Sequence, residues 1–301
     1  MCIRDRQKGI TTTELRASVS RIDAALLAAR EKRIRPGLDD KTLVSWNAMM
    51  VTGLCDAFEV FGEDEWLRMA EKNMALILGK CKREDGGLMH SYKSGKASIN
   101  GFLEDYAFTA EALCALYSVT FNERYLQEAK ALTTYAIAHF HDKSSGMFHF
   151  TSDLDAALIA RKMETADNVI PASNSTMANV LFTLGHLYDD HGWIGMSTTM
   201  LNNMQDNMQG YPSGYSNWAQ LMLAHVHPWH EIAITGPDAP KLRKGFAPHY
   251  IPNRFFMGGA QPSKLPLLED KLLDGTTVFV CQGKVCQMPV STVEDALKQL
   301  K

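Results

Sequence analysis

Apolar residues recur every three or four positions through most of the chain up to residue 227, and that spacing predicts helices. Over 12–33, Leu15, Val19, Ile22, Leu26 and Ala29 mark one stripe, with Thr12 or Thr13 as the cap and Pro36-Gly37 as the stop. A second helix is expected over 42–60. Asp39 and Asp40 precede it, where carboxylates favour a helix N-terminus. A third starts at Asp64 after Gly62 and carries Trp66, Leu67, Ala70, Met74 and Ile77 to about Gly79. The loop Asp85-Gly86-Gly87 and an extended piece, Leu88 to Tyr92, follow. Helices over 103–120 and from Asn122 to about Phe140 then repeat the plan, closed by Ser145 to Phe150.

The repetition has a fixed offset. Leu54-Cys55 matches Leu113-Cys114, Trp66 matches Tyr125 and His90 matches His149, each 59 residues apart. A third copy runs from Pro171 to about Gly210, with Leu187-Tyr188 matching Leu116-Tyr117, and 215–227 predicts one more inner helix. A lone αα-hairpin cannot bury its own stripe, so neighbours must stack. The expectation is a mainly α chain in which 12–229 form part of an (α/α) toroid, with about three and a half hairpins present. Beyond His230 the pattern changes to strands at 231–236, 254–257 and 276–281, with short helices at 238–246 and 292–300. Residues 230–301 therefore predict a small α/β extension. Met1 to Arg6 lacks the patterning of the helix after it, so residues 1–11 are expected to be non-native or disordered.

Composition narrows the function classes. Hydrophobic residues make up 46% and charged residues 22%, a globular balance that argues against disorder. The net charge is −3 and no Lys/Arg run stands out, so no nucleic-acid partner is expected. No apolar run approaches the roughly 20 residues of a membrane span. Without a signal peptide, a cytoplasmic location is expected. Cys55 and Cys114 lie inside helical apolar patterns and read as buried thiols.

Several motifs in order resemble one family. They are Asp39-Asp40-Lys41 leading to Ser45-Trp46-Asn47, Phe102-Leu103-Glu104-Asp105-Tyr106-Ala107, Asp167 to Pro171 followed by Asn174, and the tail Cys281 to Pro289. The pattern is similar to the thioredoxin-plus-toroid family typified by spermatogenesis-associated protein 20. That resemblance implies an N-terminal thioredoxin-like domain, a toroid of the six-hairpin glycosidase-like type and a small C-terminal extension. On that resemblance, the thioredoxin-like domain and the first toroid half are expected to lie outside residues 1–301. Where the family has Pro-Ser-Gly-Asn, Pro171-Ala172-Ser173-Asn174 stands here.

The repeat alignment supplies the candidate site. Ser45, Trp46 and Asn47 fall on Glu104, Asp105 and Tyr106, while Asn174 and Ser175 fall on Leu103 and Glu104. All then stand at the starts of successive inner helices, at one height, and the resemblance implies that acid/base groups and sugar-binding aromatics gather there. Asp105 or Glu104 is the expected acid/base group, with Asp40 as its partner. Trp46, Asn47, Tyr106 and Asn174 are expected to shape a pocket for a small carbohydrate. Glycosidic cleavage needs two carboxyl groups roughly 5 to 9.5 Å apart. Epimerisation needs a base near neutral pH beside a carbonyl. Against this, first-turn carboxylates are commonly caps, and adjacent Glu104 and Asp105 point about 100° apart, so at most one faces a cavity squarely.

Other motifs carry less. His225, His227, His230 and Glu231 span a helix end with Pro228 and make a poor metal set. His90 and His149 read as loop-packing residues. Cys281 and Cys286 read as a structural thiol pair rather than a redox or metal site. No cofactor is expected. A function of another class also fits: a non-catalytic binding or scaffolding module for a thioredoxin-like domain.

Overall fold

The computed structural model describes residues 9–156 and 159–300; the expectation for residues 1–8 lies outside them. The chain divides into two units, Met1–Asp40 and Lys41–Lys301.

The first unit contains α1, Thr12–Glu31. Its cap is Thr11, one residue before the expected position. The Glu14 N–H donates to Thr11 Oγ1 at 3.2 Å and the Thr11 N–H donates to Glu14 Oε2 at 2.9 Å, a reciprocal capping box. None of its residues is buried.

The second unit begins with two extended residues, β1 (Thr42–Leu43), where the periodicity predicts helix. Leu43 and Thr42 pair with Ser91 and Tyr92 of β2 (Met89–Lys93), so tertiary pairing overrides the local pattern there. Strand β3 (Lys96–Asn100) completes this antiparallel sheet. Ser94 and Gly95, both at positive φ, make the tight turn of its hairpin.

Three αα-hairpins follow. The first is α2 (Val44–Phe61) with α3 (Asp64–Leu76), which ends in a π-helical turn, Ile77–Cys81. The second is α4 (Leu103–Thr120) with α5 (Glu123–Phe140). The third, α6 (Ser173–Tyr188) with α7 (His191–Asn203), follows a two-stranded ribbon of β4 (His141–Asp142) and β5 (Met147–Phe148). A short helix, α8 (Gln205–Gly210), leads to α9 (Ser216–Val226). Helices α2, α4, α6 and α9 pack side by side, and each hairpin partner lies against its own inner helix. This alternation of inner and outer helices is the (α/α)-toroid plan expected from the repeat. Helix α4 sits between two inner neighbours, and twelve of its residues are buried. An apolar surface all round is what such a position demands.

The α/β extension is a four-stranded sheet in the order β7 (Arg254–Gly259), β6 (His230–Thr235), β8 (Thr277–Gln282), β9 (Val285–Cys286). The β6–β7 pair is parallel and the others antiparallel. Alternation along the strands splits the sheet between two cores. Ala233, Met257 and Phe279 join the helical core, while Ile232, Ile234, Val278 and Val280 pack with residues of α10 (Ala239–Gly245) and α11 (Val293–Lys298). Cys281 and Cys286 oppose one another in the β8–β9 pair and form a disulfide. No helix of the described residues is long and apolar enough to cross a membrane.

Candidate functional site at the inner-helix rim

The first residues of an α-helix leave N–H groups without intrahelical partners. At the start of α4 the third residue answers this need. Asp105 Oδ2 accepts the N–H of Phe102 at 2.9 Å, and Oδ1 accepts the N–H of Ser45, near the start of α2, at 3.0 Å. One fully buried carboxylate thus ties together the N-termini of two neighbouring inner helices.

Strand β2 brings a third group to the same carboxylate. His90 Nδ1 donates to Asp105, 3.0 Å from Oδ2 and 3.2 Å from Oδ1. The loop between β3 and α4 allows this approach because Gly101 passes close to Leu88. Its N–H donates to the Leu88 carbonyl at 2.8 Å, and a Cβ there would meet that oxygen at 2.7 Å. The hydrogen bond to Asp105 raises the His90 pKa against a smaller lowering by burial. Burial raises the pKa of Asp105, opposed by His90 and by the two backbone donors. With Nδ1 engaged, the imidazole presents Nε2, which bonds to nothing among the described residues.

Glu104 stands beside this pair, half-buried, its Oε1 accepting the Ser45 hydroxyl at 3.1 Å. Burial, and then the charges of Asp105 and Glu164, raise its pKa, while Ser45 and His90 oppose the rise. Ligand atoms of His90, Glu104 and Asp105 all lie within 4.8 Å of one another, close enough to hold a metal ion. The His90–Asp105 hydrogen bond already uses Nδ1, so an ion would have to be met by Nε2 or break that bond. An aromatic ledge adjoins the cluster. The Phe102 ring lies 4.8 Å from that of His90 and stacks on Phe150 at 4.9 Å, both phenylalanines half-buried.

The residues singled out from the sequence are distributed unevenly. Glu104 and Asp105 come together with Ser45. Trp46 is 59% exposed at the start of α2, and Asn47 turns its amide back to donate to the Leu43 carbonyl at 2.8 Å. Tyr106 lies in the core. Its hydroxyl accepts the Leu88 N–H at 2.8 Å and its ring stacks on Tyr135 at 5.3 Å. Asn174 is buried, with Oδ1 accepting from the Phe148 N–H and Nδ2 donating to the carbonyls of Phe148 and Glu164. Asp40 is the exposed last residue of the first unit. His90 is the residue that sequence reasoning passed over. Its counterpart His149 has a buried Nδ1 with no partner among the described residues, so the repeat alone does not separate the two. Glu231, from the histidine-rich stretch, faces His186 at 3.6 Å instead of joining His225 or His227.

No family model matches the chain. Spermatogenesis-associated protein 20 of Homo sapiens is a relative, 28% identical over 289 residues that cover 88% of this chain and 37% of the human protein. The chain therefore spans well under half the length of that relative. Among solved structures, a GH76 α-mannanase of Bacteroides thetaiotaomicron aligns with a TM-score of 0.47 and 15% identity, covering 58% of this chain and 46% of that one. A cellobiose 2-epimerase of Bacillus thermoamylovorans aligns with a TM-score of 0.46 and 15% identity, covering 54% of this chain and 44% of that one.

Proposed function

Taking the chain as a relative of spermatogenesis-associated protein 20, we propose that the inner-helix rim is a proton-transfer site for a small carbohydrate. The observation that carries this reading is the His90–Asp105–Glu104 cluster. Asp105 fixes the imidazole and raises its pKa, so neutral His90 carries on Nε2 a stronger base than a free imidazole. Glu104, with its raised pKa, is the matching acid. Abstraction of a proton beside a sugar carbonyl and its return from the other group is the chemistry of an epimerase or isomerase. Hydrolysis is supported less well. A retaining glycosidase holds its carboxyl groups about 5–5.5 Å apart and an inverting one about 6.5–9.5 Å. Glu104 and Asp105 stand within 4.8 Å, and Asp105 is occupied by its backbone donors. The Phe102–Phe150 ledge offers an apolar face to a sugar ring, and exposed Trp46 is available for a second such contact. In this assignment Asp105 is a positioning residue, and Tyr106 and Asn174 hold the scaffold.

The test is a thermal-shift and turnover screen against mono- and disaccharides, run on the parent, His90→Gln and Glu104→Gln. The expected result is a sugar that is turned over by the parent and by neither variant, with all three melting within a few degrees. A panel that yields neither shift nor turnover overturns the assignment. A second reading, a non-catalytic binding or scaffolding module, is favoured by one specific feature: Asn174 and Tyr106 spend their polar atoms on backbone groups, and each Asp105 oxygen accepts a backbone N–H besides facing His90.

A further inference from the structure

A cavity of about 210 Å³ lies lower on the same helices, lined by α2, α4, α6 and β7. Glu111, which lines it, is six residues beyond Asp105, about 9 Å along the helix axis, so this is separate from the rim. At about 30 Å³ per water the space is worth roughly seven water molecules, room for an organic molecule of about that many non-hydrogen atoms.

Three of the polar groups facing this space, Glu111, Asp56 and Asn179, offer acceptors to an occupant. Glu111 and Asp56 have neither a hydrogen bond nor an ion pair among the described residues. Asn179 uses both amide hydrogens on the carbonyls of Ser175, at 2.9 Å, and Asn217, at 3.4 Å, which leaves its oxygen for an occupant. Glu59 is already matched, since its carboxylate pairs with Arg243 at 2.9 Å and with Arg254. That pairing engages one Nη of Arg254, the cationic group in the lining, whose buried Nε has no hydrogen-bond partner among the described residues. Phe255 and Val180 supply apolar wall. Two carboxyl groups without a direct partner among the described residues, a free amide oxygen and an apolar wall suit a molecule with several N–H donors, a positive charge and a short hydrocarbon body, even with the Arg254 charge acting on Asp56.

We propose that the cavity binds a small organic ammonium ion, with Glu111 and Asp56 taking its charge and Asn179 its remaining donor. Asp56 is exposed and marks the mouth; Glu111 is half-buried deeper in. Burial, and behind it the charge of Asp56, pushes Glu111 up to about 7. The other titratable or charged groups of the lining are Cys55 and Glu59 from α2, Cys114 from α4 and Arg254 from β7. Below pH 7 Glu111 is largely neutral and binds the cation poorly; above it the carboxylate is available. A group titrating near 7 goes from about one-tenth to about nine-tenths ionised between pH 6 and pH 8, so affinity should rise roughly ninefold.

The experiment is calorimetric titration of this chain with n-pentylammonium, n-pentanol and magnesium chloride at pH 6 and pH 8. The expected result is binding of the amine that tightens with pH, no binding of the alcohol, and at least a tenfold weakening in Glu111→Gln and in Asp56→Asn. Asp56→Asn, at an exposed position, keeps the test decisive if Glu111→Gln fails to fold. The proposal is overturned if the amine gives no heat, if the alcohol binds as well, if magnesium takes the site in the amine's place, or if folded variants bind like the parent.

Discussion

Two junctions between inner helices use the same device with different company. At the α2–α4 junction Asp105 accepts the N–H groups of Ser45 and Phe102. At the α6–α9 junction Asp167 accepts the N–H of Ala172 at 2.9 Å, the N–H of Asn217 at 2.8 Å and the hydroxyl of Ser175 at 3.0 Å. Each carboxylate staples the N-termini of two neighbouring helices, which satisfies orphan donors and favours both dipoles. The partners then diverge. Asp167 is half-buried and surrounded by Ser175, Asn217 and backbone, none of which titrates near neutrality. Asp105 is fully buried, and it faces His90 with Glu104 alongside. A carboxylate placed at two inner-helix starts is therefore a structural staple here, whether it comes from the first helical turn, as Asp105 does, or from the loop before the helix, as Asp167 does. Titratable neighbours are what distinguish the Asp105 junction.

The comparison breaks most visibly under truncation. Asp105→Ala should cost about 3–5 kcal/mol, because two backbone donors and an imidazole lose their buried partner together. Asp167→Ala should cost less, about 2–3 kcal/mol, since water reaches that site and replaces part of what is lost. Urea unfolding of both variants checks the order. An equal or reversed order would mean that the buried junction is no more demanding than the wetter one.

A pH series sharpens the contrast. Asp105 raises the His90 pKa in the folded state. That contribution to stability is complete below the unfolded value, about 6.5, and is lost as pH rises through the raised folded value. The stability difference between the parent and His90→Gln should therefore shrink as pH rises above about 6.5. Asp167→Asn should leave that pH dependence in place, which denaturant melts at several pH values would show. The smallest effect concerns Ser45, whose hydroxyl lowers the Glu104 pKa. Ser45→Ala should cost about 0.5–1 kcal/mol and move the Glu104 titration to higher pH, readable by carboxyl-carbon NMR.

Much of the architecture is legible in the sequence because it repeats. The 59-residue offset and the three-and-four spacing identify the hairpins, their order and the common height of the inner-helix starts. The first two residues of the expected 42–60 helix are strand instead, since local periodicity carries no trace of the pairing with Ser91 and Tyr92. At the site, Glu104 and Asp105 stand out as acidic residues at an apolar helix start. Tyr106 does not reach the rim because the next position along a helix turns about 100°, toward Leu88 and Tyr135. His90 is hidden for the opposite reason. It comes from a strand, and a contact across 15 residues of sequence leaves no periodic signature. The lower cavity is equally silent, because Asp56, Glu111 and Asn179 each look like an ordinary polar interruption in a helix.

The measurement that tests the central claim most directly is proton exchange, followed by NMR in heavy water with reducing sugars as substrates. If the His90–Glu104 pair moves a proton beside a sugar carbonyl, the parent will replace the C2 hydrogen of at least one sugar with deuterium. His90→Gln will abolish the exchange, and Asp167→Asn will leave it intact. Exchange that persists in both His90→Gln and Glu104→Gln, or no exchange with any sugar in the parent, would contradict the account and leave the Asp105 junction as a staple like its counterpart.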